Sequence, residues 1–312
     1  AFLLGGSLKI TDLKLLGARI MTVSVMIVGV TVAVVSTGLI LVGIDPGLAL
    51  VLAAIATATA PAATTDVIRQ SGVVNGFTKT LQGIVAVDDA WGLLVFSICL
   101  GLVGSEVDGF SGAAVLHEIG GAVLLGVAIG VPGAVLTGRI RGGEPLEIEG
   151  LALIFLTTGV ALYAEVSFLI AGMTAGAVIV NFASHHDRAF HEIEHIQWPF
   201  MALFFLLAGA NLELDALLEI GWLSLAYIAL RIIARIAGGW LGARLSGAPA
   251  RERRLYGMAL LPQAGVAVGM ALIAAQALPD YGDQIIALTI GTTIIFELFG
   301  PVMTLWAIRR TR

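Results

Sequence analysis

Two aspartates stand side by side in an apolar run, Ile84-Val-Ala-Val-Asp88-Asp89-Ala-Trp-Gly-Leu-Leu-Val-Phe96. Carboxylates are hard oxygen ligands that take a proton or a metal cation. Adjacent side chains on a helix point about 100° apart, so one can face an aqueous cavity while the other turns to a neighbouring helix. A pair this close titrates as a unit. A second stretch holds the opposite charge, Arg231-Ile-Ile-Ala-Arg235, one turn apart in equally apolar surroundings. A buried arginine costs at least ~2.5 kcal/mol in a membrane and needs an acidic partner or a water-filled cavity. Glu297 lies in a third apolar run and needs a partner too. Arg231 is the one expected, and service as a second proton site is the other role open to it. Acids and arginines buried together in hydrocarbon point to handling of protons or cations rather than to packing alone.

Two interruptions accompany these charges. Ala56-Thr57-Ala58-Thr59-Ala60-Pro61-Ala62-Ala63-Thr64-Thr65 contains a helix-breaking proline and four threonines able to lend oxygens, and Leu261-Pro262-Gln263-Ala264-Gly265 repeats the theme near the other end of the chain. Proline lacks the N–H and clashes with the preceding turn. Both segments therefore read as broken helices whose freed carbonyls and half-helix ends can coordinate an ion.

The elements that must position these residues are membrane helices. The chain has 312 residues, 58% of them hydrophobic and 12% charged, with 39 glycines. With glycine counted and tyrosine left out the apolar share is about 69%, against ~45–50% in soluble domains. At roughly 20 residues per span, ten apolar runs are expected: 15–43, 46–70, 77–104, 110–138, 146–163, 165–182, 196–210, 216–245, 254–277 and 284–308. Apart from Arg231 and Arg235, every one of the seventeen Lys and Arg residues then falls on one side. Asp45, Glu106, Asp108, Glu213, Asp215, Asp280 and Asp283 fall on the other. By the positive-inside rule the basic side, including the C-terminus, is cytoplasmic. The two broken spans then run in opposite directions, each central in a three-span group, which is the pattern of an inverted-repeat transporter. No basic patch suits nucleic acid, and Cys99, the only cysteine, excludes an intrachain disulfide and a cysteine-based metal cluster. The first residues, Ala1-Phe-Leu-Leu-Gly-Gly, read as a helix already under way, so earlier membrane segments are expected to precede them.

Ala58-Thr59-Ala60-Pro61-Ala62-Ala63-Thr64, the Asp88-Asp89 span, Arg231 to Gly242, Pro199-Phe-Met-Ala-Leu-Phe-Phe-Leu-Leu-Ala-Gly-Ala210 and Leu261-Pro-Gln-Ala-Gly-Val-Ala267 occur in an order that resembles the monovalent cation:proton antiporters, in particular the bacterial NapA/NhaA-like group. The resemblance runs over essentially the whole chain. It implies a twelve- or thirteen-helix fold, all-α, with about three N-terminal helices further than those seen here. It also implies a transport core (1–104 and 216–308), a linking helix (110–138) and dimerisation helices (146–210), assembled as a homodimer in a bacterial inner membrane. On the same resemblance Asp89 is the main cation- and proton-binding carboxylate. Asp88 is the partner of the eighth span, through Arg235, and Thr59 lies at the helix crossing. Gln263, Thr64 and Thr65 are secondary candidates. The sequence departs from relatives in two places. Arg235 stands where aspartate-pair members often carry lysine, and Ala60 where several carry an acid beside the threonine.

The expected activity is exchange of Na⁺, or Li⁺ or K⁺, for protons by alternating access, with no cofactor, no resident metal and no enzymatic step. Two other classes compete. His191-Glu192-Ile193-Glu194-His195 satisfies the H-E-x-x-H pattern of zinc hydrolases, which would make the chain an intramembrane metalloprotease. No third ligand is evident, and that reading leaves Asp88, Asp89 and Arg235 without a use. A passive cation channel would need a continuous pore, which opposed broken helices suit less well.

Overall fold

In the computed structural model the described residues are 1–6, 10, 17–107, 112–136, 146–183, 193, 199, 203, 206, 221–263 and 265–311. They are almost wholly α-helical, without strands among them. In chain order the helices are α1 (Phe2–Gly6), α2 (Gly17–Leu41), α3 (Pro46–Ile55), α4 (Pro61–Ser71), α5 (Gly76–Val107), α6 (Gly112–Leu136), α7 (Leu146–Tyr163), α8 (Phe168–Phe182), α9 (Gly221–Leu245), α10 (Arg253–Ala259), α11 (Gly265–Ala277) and α12 (Gly282–Arg309). α2, α9 and α12 are each long and apolar enough to cross a membrane, as is the part of α5 from Gly76 to Val103. Nine of the ten expected spans coincide with helices to within a few residues, and the two broken ones each appear as a pair of half-helices. The span expected at 196–210 falls outside the described residues except at three isolated positions.

Local chemistry explains where helices start and stop. Asp45 caps α3, its Oδ1 accepting from the N–H groups of Gly47 and Leu48 at 2.9 and 3.1 Å, while Pro46 fills the first helical position, where no N–H is needed. Gly72, at φ +63°, ends α4 in the left-handed conformation that glycine adopts without strain. Pro61 restarts the chain as α4 after an irregular stretch over 56–60. α10 likewise stops at Ala259, and Gly265 opens α11.

The chain divides into two compact units. One comprises residues 1–15 and 100–205. In it α8 packs on α6 and α7, with Phe2, Ala134, Ala175, Ile179, Ala183 and Ile193 forming a small core. The other comprises residues 16–99 and 206–312 and holds both broken helices. Its axis is α9, whose glycines let neighbouring backbones approach closely, as small residues do between membrane helices. A Cβ on Gly238 would lie 2.8 Å from Cα of Ile27 on α2, and one on Gly239 would collide with the backbone of Gly257 on α10.

Candidate functional site

α9 aims Tyr227, Arg231 and Arg235 along one face at four-residue spacing, and all three are fully buried. Arg235 reaches α5: its Nη1 donates to Asp88 Oδ2 at 3.1 Å, an ion pair with both side chains inaccessible to solvent. Its Nη2 donates to the carbonyls of Thr57 and, at 2.9 Å, Ala58 in the first break. Arg231 spans both breaks. Nε donates to Ala56 O at 3.1 Å, Nη2 to Ala58 O at 2.8 Å and Nη1 to Leu261 O at 2.8 Å. Phe296 of α12 lies under its guanidinium, 4.1 Å from ring centre to Cζ, a favourable stack for a desolvated cation.

This arrangement has an electrostatic reason. α3 and α10 both end at a break, and each C-terminus carries roughly half a negative charge together with unsatisfied carbonyls. Two guanidiniums, rich in donors in a fixed fork, satisfy those carbonyls and offset the charge. The pairing of Arg231 with Glu297 expected from the sequence does not form. Glu297 is exposed on the outer face of α12 beside Leu298 and Phe299, whereas its neighbour Phe296 faces inward. The 100° step along the helix separates the two, and main-chain carbonyls take the place of a carboxylate at Arg231.

The two aspartates diverge as the helix geometry requires. Asp88 is held at both oxygens, Oδ2 by Arg235 and Oδ1 by the hydroxyl of Ser24 on α2, at 3.3 Å. Asp89 faces the first break, where Thr59 Oγ1 donates to its Oδ1 at 3.2 Å and the main-chain N–H of Thr59 faces the same carboxylate. Gly92, one turn further along α5, gives the break room, since a Cβ there would lie 3.2 Å from Thr57 Oγ1. Thr57 itself turns its hydroxyl back to Ala54 O.

The secondary candidates separate. Thr64 is buried with its hydroxyl unpartnered, whereas Thr65 is exposed. Gln263 is fully buried in the second break with neither amide atom hydrogen-bonded. Sequence reasoning did not find Ser24, the carbonyl contacts of Arg231, or Tyr227, whose hydroxyl reaches Leu52 O at 3.4 Å. The buried acids, arginines and threonine gather at one place, the side of the first break. Of the His191–His195 motif only Ile193 is described. Among the described residues no group of three or more His, Cys, Asp or Glu side chains is placed to hold a metal ion.

Known proteins share this architecture. The structure of the sodium/proton antiporter MjNhaP1 from Methanocaldococcus jannaschii at pH 8 superposes with a TM-score of 0.72 at 20% identity, covering 99% of this chain and 80% of that one. Among characterised relatives, the Na⁺/H⁺-K⁺ antiporter GerN of Bacillus cereus is 23% identical over 270 residues, 83% of this chain and 68% of that protein. The ammonium/H⁺ antiporter subunit AmhT of Alkalihalophilus pseudofirmus is 20% identical over 310 residues, 96% of this chain and 78% of that subunit. The Na⁺/H⁺ antiporter NhaP of Pseudomonas aeruginosa is 27% identical over 190 residues, 57% of this chain and 43% of that protein. These relatives are transporters, which leaves the metalloprotease reading without support. The model of the transmembrane part of sodium/hydrogen exchangers matches residues 2–309. The chain is thus a multi-pass membrane protein that belongs to the sodium/hydrogen exchanger family, a family of cation/proton antiporters.

Proposed function

We propose that the protein exchanges a monovalent cation for protons by alternating access, with Asp89 as the carboxylate that binds one or the other. The carrying observation is the unequal setting of the two aspartates. Asp88 is engaged at both oxygens by Arg235 and Ser24, while Asp89 is directed at the unwound first break, with Thr59 at its side. A carboxylate that can hold a proton or a cation, but not both, couples the two fluxes without any nucleotide.

The Asp89 carboxylate and Thr59 Oγ1 beside it are hard oxygen donors, of the kind that suits an alkali cation. Na⁺ is the leading substrate, followed by Li⁺ and K⁺. The relatives' names extend from Na⁺ to K⁺ and ammonium, and these cations enter the test below. Arg235 serves as the counter-charge to Asp88, and Arg231 compensates the two helix ends. The proposal includes a homodimer formed through helices of residues 146–210 and a cytoplasmic C-terminus, the latter supported by the one-sided distribution of Lys and Arg.

The test is reconstitution into proteoliposomes with an acid-inside pH gradient. Addition of Na⁺, Li⁺, K⁺ or ammonium should dissipate the gradient saturably, and Asp89→Asn should abolish the response. Cation flux that is independent of the pH gradient would point to a channel, and equal activity in Asp89→Asn would remove Asp89 from the mechanism.

A further inference from the structure

A serine or threonine inside a membrane helix ordinarily turns its hydroxyl back to a carbonyl three or four residues earlier. The protein follows that habit repeatedly: Ser36 donates to Val32 O at 2.7 Å, Thr80 to Gly76 O at 2.8 Å, Thr157 to Leu153 O at 2.6 Å and Thr292 to Leu288 O at 2.8 Å. Ser24 does not. It is fully buried on the inward face of α2, among Ile20, Val23, Ile27 and Val28, and it donates to a carboxylate 64 residues away.

From this geometry we infer that Ser24 is a positioning residue of the carboxylate pair, fixing Asp88 so that Asp89 alone is left to exchange ligands. The inference rests on the exchange mechanism proposed above. Arg235 holds one oxygen of Asp88, and without Ser24 the other is free to turn toward Thr59 and Asp89. The second anchor at Oδ1 removes that freedom. It comes from a helix seated firmly against α9, where Cβ atoms on Gly238 and Gly242 would lie 2.8 and 2.7 Å from the Cα atoms of Ile27 and Val23. Arg235 and Ser24 therefore belong to one packed pair of helices that grips Asp88 from both sides. Facing Asp88 are Arg235 and Arg231 from α9, Ser24 from α2, Thr59 of the break, and its own neighbour Asp89. Arg231, Arg235 and Asp89 among these carry charge. A freed Asp88 oxygen would turn toward Thr59, and so toward the side where Asp89 takes its ligand.

The experiment compares the wild-type chain with Ser24→Ala and Ser24→Thr in proteoliposomes, reading the apparent KM for Na⁺, the maximal rate and the pH profile. One hydrogen bond to a charged group is worth roughly a tenfold change in an equilibrium constant. Ser24→Ala should therefore change the Na⁺ KM by about three- to tenfold and displace the pH profile, with the maximal rate changed less than about twofold. Ser24→Thr, which keeps the hydroxyl, should restore both. Melting temperatures of the three proteins separate this from a packing effect, because a structural role would lower stability in Ser24→Ala and leave KM and pH profile in place. A wild-type KM and profile in Ser24→Ala, while Asp89→Asn is inactive, would overturn the role of Ser24 and leave the exchange mechanism standing. Absence of cation-dependent exchange in the wild type would instead remove the mechanism itself.

Discussion

The two breaks look alike in sequence and differ in what surrounds them. In the first, over 56–60, the carbonyls of Ala56, Thr57 and Ala58 are taken up by arginines, and Thr59 turns to Asp89. In the second, over 260–263, Leu261 O accepts from Arg231, and the rest is mechanical. Pro262 lies against Gly300 of α12, where a Cβ would come within 2.6 Å of its Cα, and Thr304 donates to Ala259 O at 2.9 Å. Gln263 keeps an unpartnered amide there. An unwound backbone always frees polar groups, so the difference teaches that charge at one break and shape at the other can both stabilise the same irregularity.

That contrast can be broken at several points. The largest effect belongs to Arg235→Ala, which leaves Asp88 and two carbonyls buried without their cation. Removing one partner of a buried pair costs about 3–5 kcal/mol, so a large drop in melting temperature and loss of transport are expected. Arg235→Lys keeps the charge but not the fork, and should regain more stability than activity. Next comes Gly300→Ala, whose methyl would press on Pro262. Overpacking of this kind costs about 1–3 kcal/mol, measured as a fall in melting temperature, and Gly300→Val should be worse. A smaller effect is expected for Gln263→Leu. Replacing an amide without partners by an apolar group of similar size should leave the melting temperature unchanged or raise it, and a marked loss of stability would mean that the amide is bonded after all. Thr65→Ala, on the exposed side of α4, should leave the cation KM and transport rate within about twofold.

Much of the fold was legible because hydrocarbon imposes a simple grammar. Long apolar runs, Pro61 and Pro262 within two of them, and a one-sided ledger of basic residues marked the helices and both breaks. That the buried arginines need acidic partners was legible because opposite charges buried at similar depth are costly apart, and the family resemblance narrowed the pair to Asp88 and Arg235. The rest depended on which way a side chain turns. Nothing in the sequence distinguishes Ser24, which crosses to Asp88, from Ser36, which bonds its own helix. Arg231 was matched to Glu297 on the assumption that a buried cation seeks a carboxylate. A break supplies carbonyls that serve as well, and one residue's rotation along α12 carries Glu297 to the outer face.

The most direct test of the division between Asp88 and Asp89 is proton release from purified protein on cation addition, in weakly buffered detergent solution. If one carboxylate takes either ligand, Na⁺ should displace protons saturably at a pH where Asp89 is protonated. The release should vanish in Asp89→Asn and persist in Thr65→Ala. Na⁺ binding without proton release, or undiminished release from Asp89→Asn, would contradict competition at Asp89 and with it the proposed coupling.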